Sequence, residues 1–175
     1  VVKWFSDSEA LSVKTLSEAR EELINTENVI PSGPTVSTND GAKAQNRTYQ
    51  DLLKDPNDEH NFEQLARSTL LKVDLDGNSE VFLPDALYAG ISFSPDGEYL
   101  MVNTHSRPFS YIVPYSRFPM TSKVYTKEGE EVATVMSVPL MEEMPKGFMA
   151  TRTGRRSMSW RDDMPHTIVY AEALD

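Results

Sequence analysis

One pattern occurs three times along this chain, and each occurrence encodes a β-hairpin. Residues 93–102 read FSPDGEYLMV: an aromatic residue, a Ser-Pro-Asp-Gly turn, then an alternating apolar run. Residues 4–13, WFSDSEALSV, place Trp4, Asp7, Leu11 and Val13 where Phe93, Asp96, Leu100 and Val102 stand. Residues 160–170, WRDDMPHTIVY, place Trp160 and Asp163 likewise, and one extra residue brings Ile168 and Tyr170 into register. The turn Asp can accept hydrogen bonds from nearby backbone amides, and the alternation buries one face of the returning strand.

A second pair of strands recurs after each of the first two hairpins. TLLKVDLDGNSEVFLP (69–84) and SKVYTKEGEEVATVM (122–136) each read as two strands about an Asp-Gly or Glu-Gly turn. Each unit then holds four antiparallel strands, A to D, and such units in tandem are the signature of β-propeller blades. The expected fold is all-β, a fragment of a β-propeller: two four-stranded antiparallel blades, the first hairpin of a third, and short helices in an insertion. The whole chain, 1–175, is expected to be one partial propeller domain. A blade over 1–84 carries an insertion at 17–68, and a blade over 85–136 carries an insertion at 103–121. A linker at 137–156 leads to the next blade at 157–175. Trp4, Phe93 and Trp160 should hold equivalent positions.

Both insertions fall between strands B and C. In the larger, TYQDLLKDPNDEHNFEQLARS offers Thr48 as the cap of a short helix carrying Leu52 and Leu53. Asn57 could cap a second helix with Phe62 and Leu65 on one face. The smaller, NTHSRPFSYIVPYSRFPMT, has Pro108, Pro114 and Pro119, which argue for an ordered loop. Antiparallel order puts the A–B and C–D turns on one face and every long segment on the other. That asymmetry points to the long-loop face as the one that meets a partner or another domain.

Composition narrows the function. A formal charge of −10 argues against general nucleic-acid binding, and no apolar run approaches membrane-spanning length. The chain has no cysteine, which removes disulfides and thiolate metal sites. It starts at VVKWF and stops at YAEALD inside a strand-like run, so both ends look cut from a longer protein.

Three segments are more specific than the hairpins. RTYQDLLKDPNDE (47–59), RPFSYIVPYSRFP (107–119) and RTGRRSMSWR (152–161), in this order, closely resemble the N-terminal propeller of the prolyl oligopeptidase family, above all its glutamyl endopeptidase branch. The resemblance implies a serine-type peptidase whose propeller packs on a C-terminal α/β-hydrolase domain bearing a Ser-Asp-His triad. No Gly-x-Ser-x-Gly elbow occurs here, and none of His60, His105 and His166 accompanies a nucleophile motif. No catalytic residue, metal or cofactor is therefore assigned, and the chain alone is expected to hydrolyse nothing. It would gate or frame access of a peptide substrate to a hydrolase domain of the same parent. The resemblance also implies a periplasmic or otherwise exported bacterial protein. The competing reading is a binding or sensor propeller without peptidase activity, separated by whether the parent has the elbow downstream. An opened propeller exposes strand edges, so the isolated fragment is expected to self-associate.

Candidate site residues come from the arginines and the insertion aromatics. Lys146, Arg152, Arg155, Arg156 and Arg161 form the one basic concentration of an acidic chain, and Arg107 and Arg117 flank the smaller insertion. Forked guanidinium groups suit bidentate recognition of carboxylates. Arg107, Arg117, Arg155 and Arg156 are the candidate binders of an acidic substrate side chain, with Tyr111 and Tyr115 as peptide contacts. The competing role for the arginines is pairing with Asp and Glu across an internal contact, and for the tyrosines, anchoring the loop. Asp74, Asp76, Asn78 and Glu80 are spaced like the start of a calcium loop, but flanking strands favour a hairpin turn at Asp76-Gly77. Asp58, Glu59, His60 and Glu63 could offer metal ligands along a helix, though a solvated face explains them as well. Asn46-Arg47-Thr48 matches a glycosylation sequon, and Thr48 reads better as a helix cap.

Overall fold

A computed structural model of the chain describes residues 2–25, 49–143, 145 and 151–172. Seven strands pair in chain order, each antiparallel to the next, in one curled sheet that closes half a barrel. They are β1 (Val2–Trp4), β2 (Ala10–Leu16), β3 (Ser68–Asp74), β4 (Ser79–Phe93), β5 (Tyr99–His105), β6 (Met120–Thr126) and β7 (Glu131–Val138). A separate hairpin, β8 (Arg156–Trp160) and β9 (Ile168–Ala171), lies beyond them in the chain. One helix, α1 (Pro56–Ala66), stands among the described residues, with a single 3-10 turn at Tyr115–Arg117.

The recurrence survives at the level of hydrogen bonds. Trp4 lies opposite Leu11, Phe93 opposite Leu100 and Trp160 opposite Ile168. In the first turn Phe5 N donates to Ala10 O and Ser8 N to Phe5 O. In the second, Ser94 N donates to Tyr99 O and Gly97 N to Ser94 O, the same pattern moved 89 positions along the chain. The third repeats it with one residue more, from Arg161 N to Thr167 O and Met164 N to Arg161 O. Asp7 and Asp96 each accept from the amide two residues on. The two later turns match as well: Asp74 N donates to Asn78 O, and Thr126 N to Glu130 O. Asp74 accepts from the amides of Asp76 and Asn78 and from the Asn78 side chain, and these bonds hold its carboxyl below the usual range. The acidic cluster there is a hairpin turn, with Gly77 at φ +87°.

The structure departs from the expectation where the first unit should end. The residues expected as the fourth strand of one unit and the first of the next run together as the fifteen-residue β4. Its pairing with β3 extends to Ala86, and its pairing with β5 begins at Leu87. No tight-turn sequence interrupts SEVFLPDALYAGISF, and Pro84, lacking an N–H, removes a donor just before the change of partner.

Packing also decides between neighbouring aromatics. Trp4 is 57% exposed on the edge strand, while Phe5 is buried beside Leu70, Leu83, Tyr88 and Leu100. The Phe5 ring meets Phe93 at 5.1 Å and Phe82 at 5.6 Å, both edge to face. Trp4 and Phe93 thus share a register position but not an environment. The three A–B turns touch in sequence: Ser6 packs on Gly97, Asp96 N donates to Pro165 O, and His166 Nδ1 lies 2.8 Å from Asp96.

Candidate functional site

The long segments gather through a second apolar cluster. Leu87, Phe109 and Phe118 form its buried centre, with Leu53, Phe62, Ala66 and Leu140 packed against it. These residues come from the sheet, both insertions and the linker after β7. The Phe62 ring stands edge-on to Phe109 at 5.2 Å and to Phe118 at 5.7 Å. Met141 N donates to Arg117 O, and Ser110 Oγ to Glu142, which fastens the linker to the smaller insertion.

The cap of α1 lies two residues earlier than expected. Asp55, not Asn57, is the N-cap, accepting from the amides of Asn57 and Asp58, because Pro56 has no amide to lose and fits the first helical position. The helix expected around Leu52 and Leu53 is absent from the described residues 49–54: Asp51 has φ +55°, and the residue before Pro56 is pushed to extended backbone. Thr48, Lys146 and the sequon lie outside the described residues. Leu65 is 57% exposed, and Gln64 is buried in the place expected for it.

Polar contacts complete the junction. Arg107 Nε and Nη2 both donate to Glu63, Nη1 reaches Glu59, and the guanidinium lies 5.1 Å above the Phe109 ring. The Glu63 bond, with help from both acids' charges, raises the guanidinium's affinity for its proton. Tyr111 donates to Glu59, which pushes its phenol up. Glu59 and Glu63, weighed in the sequence as metal ligands, are thus the partners of Arg107. The i, i+4 spacing of the two acids on one helix face was the signal; the cation they face is remote in sequence.

The other candidates sit differently. Arg117 lies over the Tyr49 ring at 5.2 Å and has no ion-pair partner among the described residues. Tyr115 is 61% exposed, its ring 6.0 Å from His105. Arg155 donates to Val135 O and lies 4.6 Å over Tyr170. Arg156 is half-buried, with Nη1 buried and without a hydrogen-bond partner among the described residues. Arg161 is held by Asp163 in its own turn. A groove of about 620 Å³ runs along the outer edge of β7, with Met136, Leu140, Glu143, Arg152 and Arg155 in its lining. No hydrogen bond, ion pair or ring contact joins Arg107 or Arg117 to Arg155 or Arg156 among the described residues. The structure brings Arg107 and Tyr111 together on Glu59 and leaves the other four candidates apart.

Among the described residues, His60, His105 and His166 bond to a backbone carbonyl or a carboxylate and none to a hydroxyl. This surface presents guanidinium and aromatic groups.

The chain is 40% identical over 147 residues to the probable glutamyl endopeptidase, chloroplastic, of Oryza sativa subsp. japonica, a match covering 83% of this chain and 16% of that protein. It is 40% identical over 171 residues to the protein of the same name from Arabidopsis thaliana, covering 97% of this chain and 18% of the relative. The chain therefore spans less than a fifth of the length of the curated relatives it matches. Both relatives carry peptidase names, so the chain is similar to one stretch of peptidase-related proteins. No family model matches it, and no solved structure does.

Proposed function

We propose that this chain is a non-catalytic β-propeller segment of a serine peptidase of the prolyl oligopeptidase family, in its glutamyl endopeptidase branch. Its task is to frame the approach of a peptide to a hydrolase domain elsewhere in the parent. One observation carries this reading: the two insertions and the linker pack into one surface around Phe62, Phe109, Phe118 and Leu140, opposite the stacked hairpin turns. The matching hydrogen-bond patterns of the turns support repeated four-stranded units, with β4 serving as the last strand of one and the first of the next. The similarity to two proteins named as glutamyl endopeptidases supports the peptidase assignment.

The hydrolase domain would sit on the long-segment face. There Arg117, Arg155 and Arg156 would be candidate contacts for an acidic substrate side chain, Arg107 being engaged by Glu59 and Glu63, and Tyr111 and Tyr115 would be candidate contacts for the peptide. The test is to express the full-length parent beside this chain. A serine-directed phosphonate probe should label the parent and leave this chain unlabelled, and only the parent should cleave a Glu-containing peptide. A parent that neither labels nor cleaves would overturn the peptidase reading and favour a binding propeller.

A further inference from the structure

α1 has a second polar face, and its contacts go to main chain. Asn61 Oδ1 accepts from Ile24 N at 2.8 Å, and Asn61 Nδ2 donates to Ile24 O at 2.8 Å. Gln64 Oε1 accepts from Glu21 N at 3.0 Å, and His60 Nε2 lies 3.1 Å from Glu22 O. Positions 60, 61 and 64 lie on one side of a helix, so three side chains read the backbone of a four-residue strap.

We propose that this face of α1 is a binding site for an extended peptide, filled in the present structure by the chain's own residues 21–24. Three observations support it. The first is that the hydrogen bonds between α1 and the strap all engage the strap's backbone atoms, which any extended peptide presents in the same order; among the described residues the Glu21 carboxylate, 3.8 Å from His60 and largely exposed, is its one polar side-chain contact with the helix. Next, the strap's apolar side chains are not its anchors, since Leu23 is 46% and Ile24 38% exposed. Last, α1 is held from its opposite side by Phe62 and the Arg107 contacts, so the site persists when the strap leaves. Leu65, exposed and one turn beyond Asn61, offers an apolar contact for one side chain of an incoming peptide.

The ligand class is an extended polypeptide with little sequence preference along the strap's length. That it is a peptidase substrate rests on the function proposed above; that α1 binds it does not. A fluorescent acetyl-Glu-Glu-Leu-Ile amide is titrated into the full chain and into a variant carrying Glu21→Pro and Ile24→Pro, which removes the two strap amides that Gln64 and Asn61 accept. The strap competes in cis, so the variant should bind the probe at least about tenfold more tightly than the native chain. Asn61→Ala in the variant should abolish that binding. Equal affinity for both chains, no binding to the folded variant, or binding indifferent to Asn61→Ala overturns the proposal. Amide exchange in the native chain gives a second reading that does not depend on mutating the strap. Asn61→Ala should speed exchange at Ile24 and spare the Glu21 amide, which Gln64 holds, and saturating probe should speed both. Unchanged exchange at Ile24 overturns the proposal, whereas a cleaving parent with an immovable strap would leave the peptidase reading intact.

Discussion

Arg107 donates from Nε and Nη2 to the same oxygen of Glu63, at 3.0 and 2.7 Å, across 44 residues of chain. With Glu59 on Nη1, this clasp joins the helix of one insertion to the loop of the other. The Arg107 side chain is 52% exposed, so water screens it, but the acids are only 16% and 19% exposed, and without it Glu63 keeps its Arg67 pair and Glu59 its Tyr111 bond while both lose the cation between them. Arg107→Ala should therefore cost about 1–2 kcal/mol, above the usual figure for a surface pair. Arg107→Lys should recover only part, because an ammonium lacks the fork. Urea denaturation at low and high salt checks this. The native chain should lose more stability to salt than the alanine variant, and identical salt responses would refute the clasp.

Gly97 ties two hairpin turns together. Its φ is +73°, and a Cβ there would come within 1.7 Å of Ser6 Oγ. Gly97→Ala should destabilise through both strain and collision, by about 1–2 kcal/mol for the left-handed backbone alone. Adding Ser6→Gly removes the collision and leaves the strain, so the double variant should be more stable than Gly97→Ala. Thermal unfolding of the three chains decides it. A double variant no better than the single one would mean the turns do not touch.

Local chemistry was legible in the sequence, and long-range partnership was not. The hairpins could be read because a turn's hydrogen bonds lie within a few residues. Asp7, Asp96 and the one-residue extension before Ile168 all appear at their expected register. Whether Trp4 or Phe5 turns inward depends on the rings of Phe82 and Phe93, more than 70 residues away. The Asp55 cap was readable in principle from Pro56, whose fixed φ marks the first helical position. The attraction of Asn57 as a cap hid it. Arg107 could be singled out as a fork for carboxylates, but only the folding of two insertions onto one face shows which carboxylates hold it. Likewise Asn61 and Gln64 are ordinary polar helix residues until the strap passes beside them.

Asp85 gives a dependence on pH whose sign can be worked out. One carboxylate oxygen accepts from Ser17 and the other from Thr69, which ties the partner change of β4 to the end of β2 and the start of β3. The Ser17 bond most of all, then the Thr69 bond, holds the carboxyl below the usual range. A folded-state pKa below the unfolded value means the stabilisation is complete above the unfolded pKa, about 3.9, and is lost as pH falls through the folded value. Asp85→Asn should be less stable than the native chain at neutral pH, and the difference should shrink below about pH 4. Unfolding midpoints of both chains from neutral pH downward check it. A difference that stays constant to the acid limit would assign the effect to something other than this ionisation.

Which arginine could read an acidic substrate in the full-length parent turns on what each already holds. Arg107 already serves two carboxylates, so its loss should reduce cleavage of Glu and Gln substrates alike, through disorder of the junction. Among the described residues, Arg117's side chain faces only an aromatic ring and Arg156 keeps an unpartnered Nη1. Arg155 touches a backbone carbonyl and a ring, and no acid among the described residues. These three therefore retain capacity for a carboxylate. A charge-assisted Arg–carboxylate contact contributes about 1.5–3 kcal/mol, or roughly 10- to 150-fold in kcat/KM. Alanine replacement of the responsible residue should lower kcat/KM for a Glu substrate by about that factor and for its Gln counterpart much less. The measurement is kcat/KM for both substrates with each single variant of the parent. A selective loss at Arg117, Arg155 or Arg156 identifies the reader. Parallel losses for both substrates at all four positions would make these arginines structural and move acid recognition to the hydrolase side.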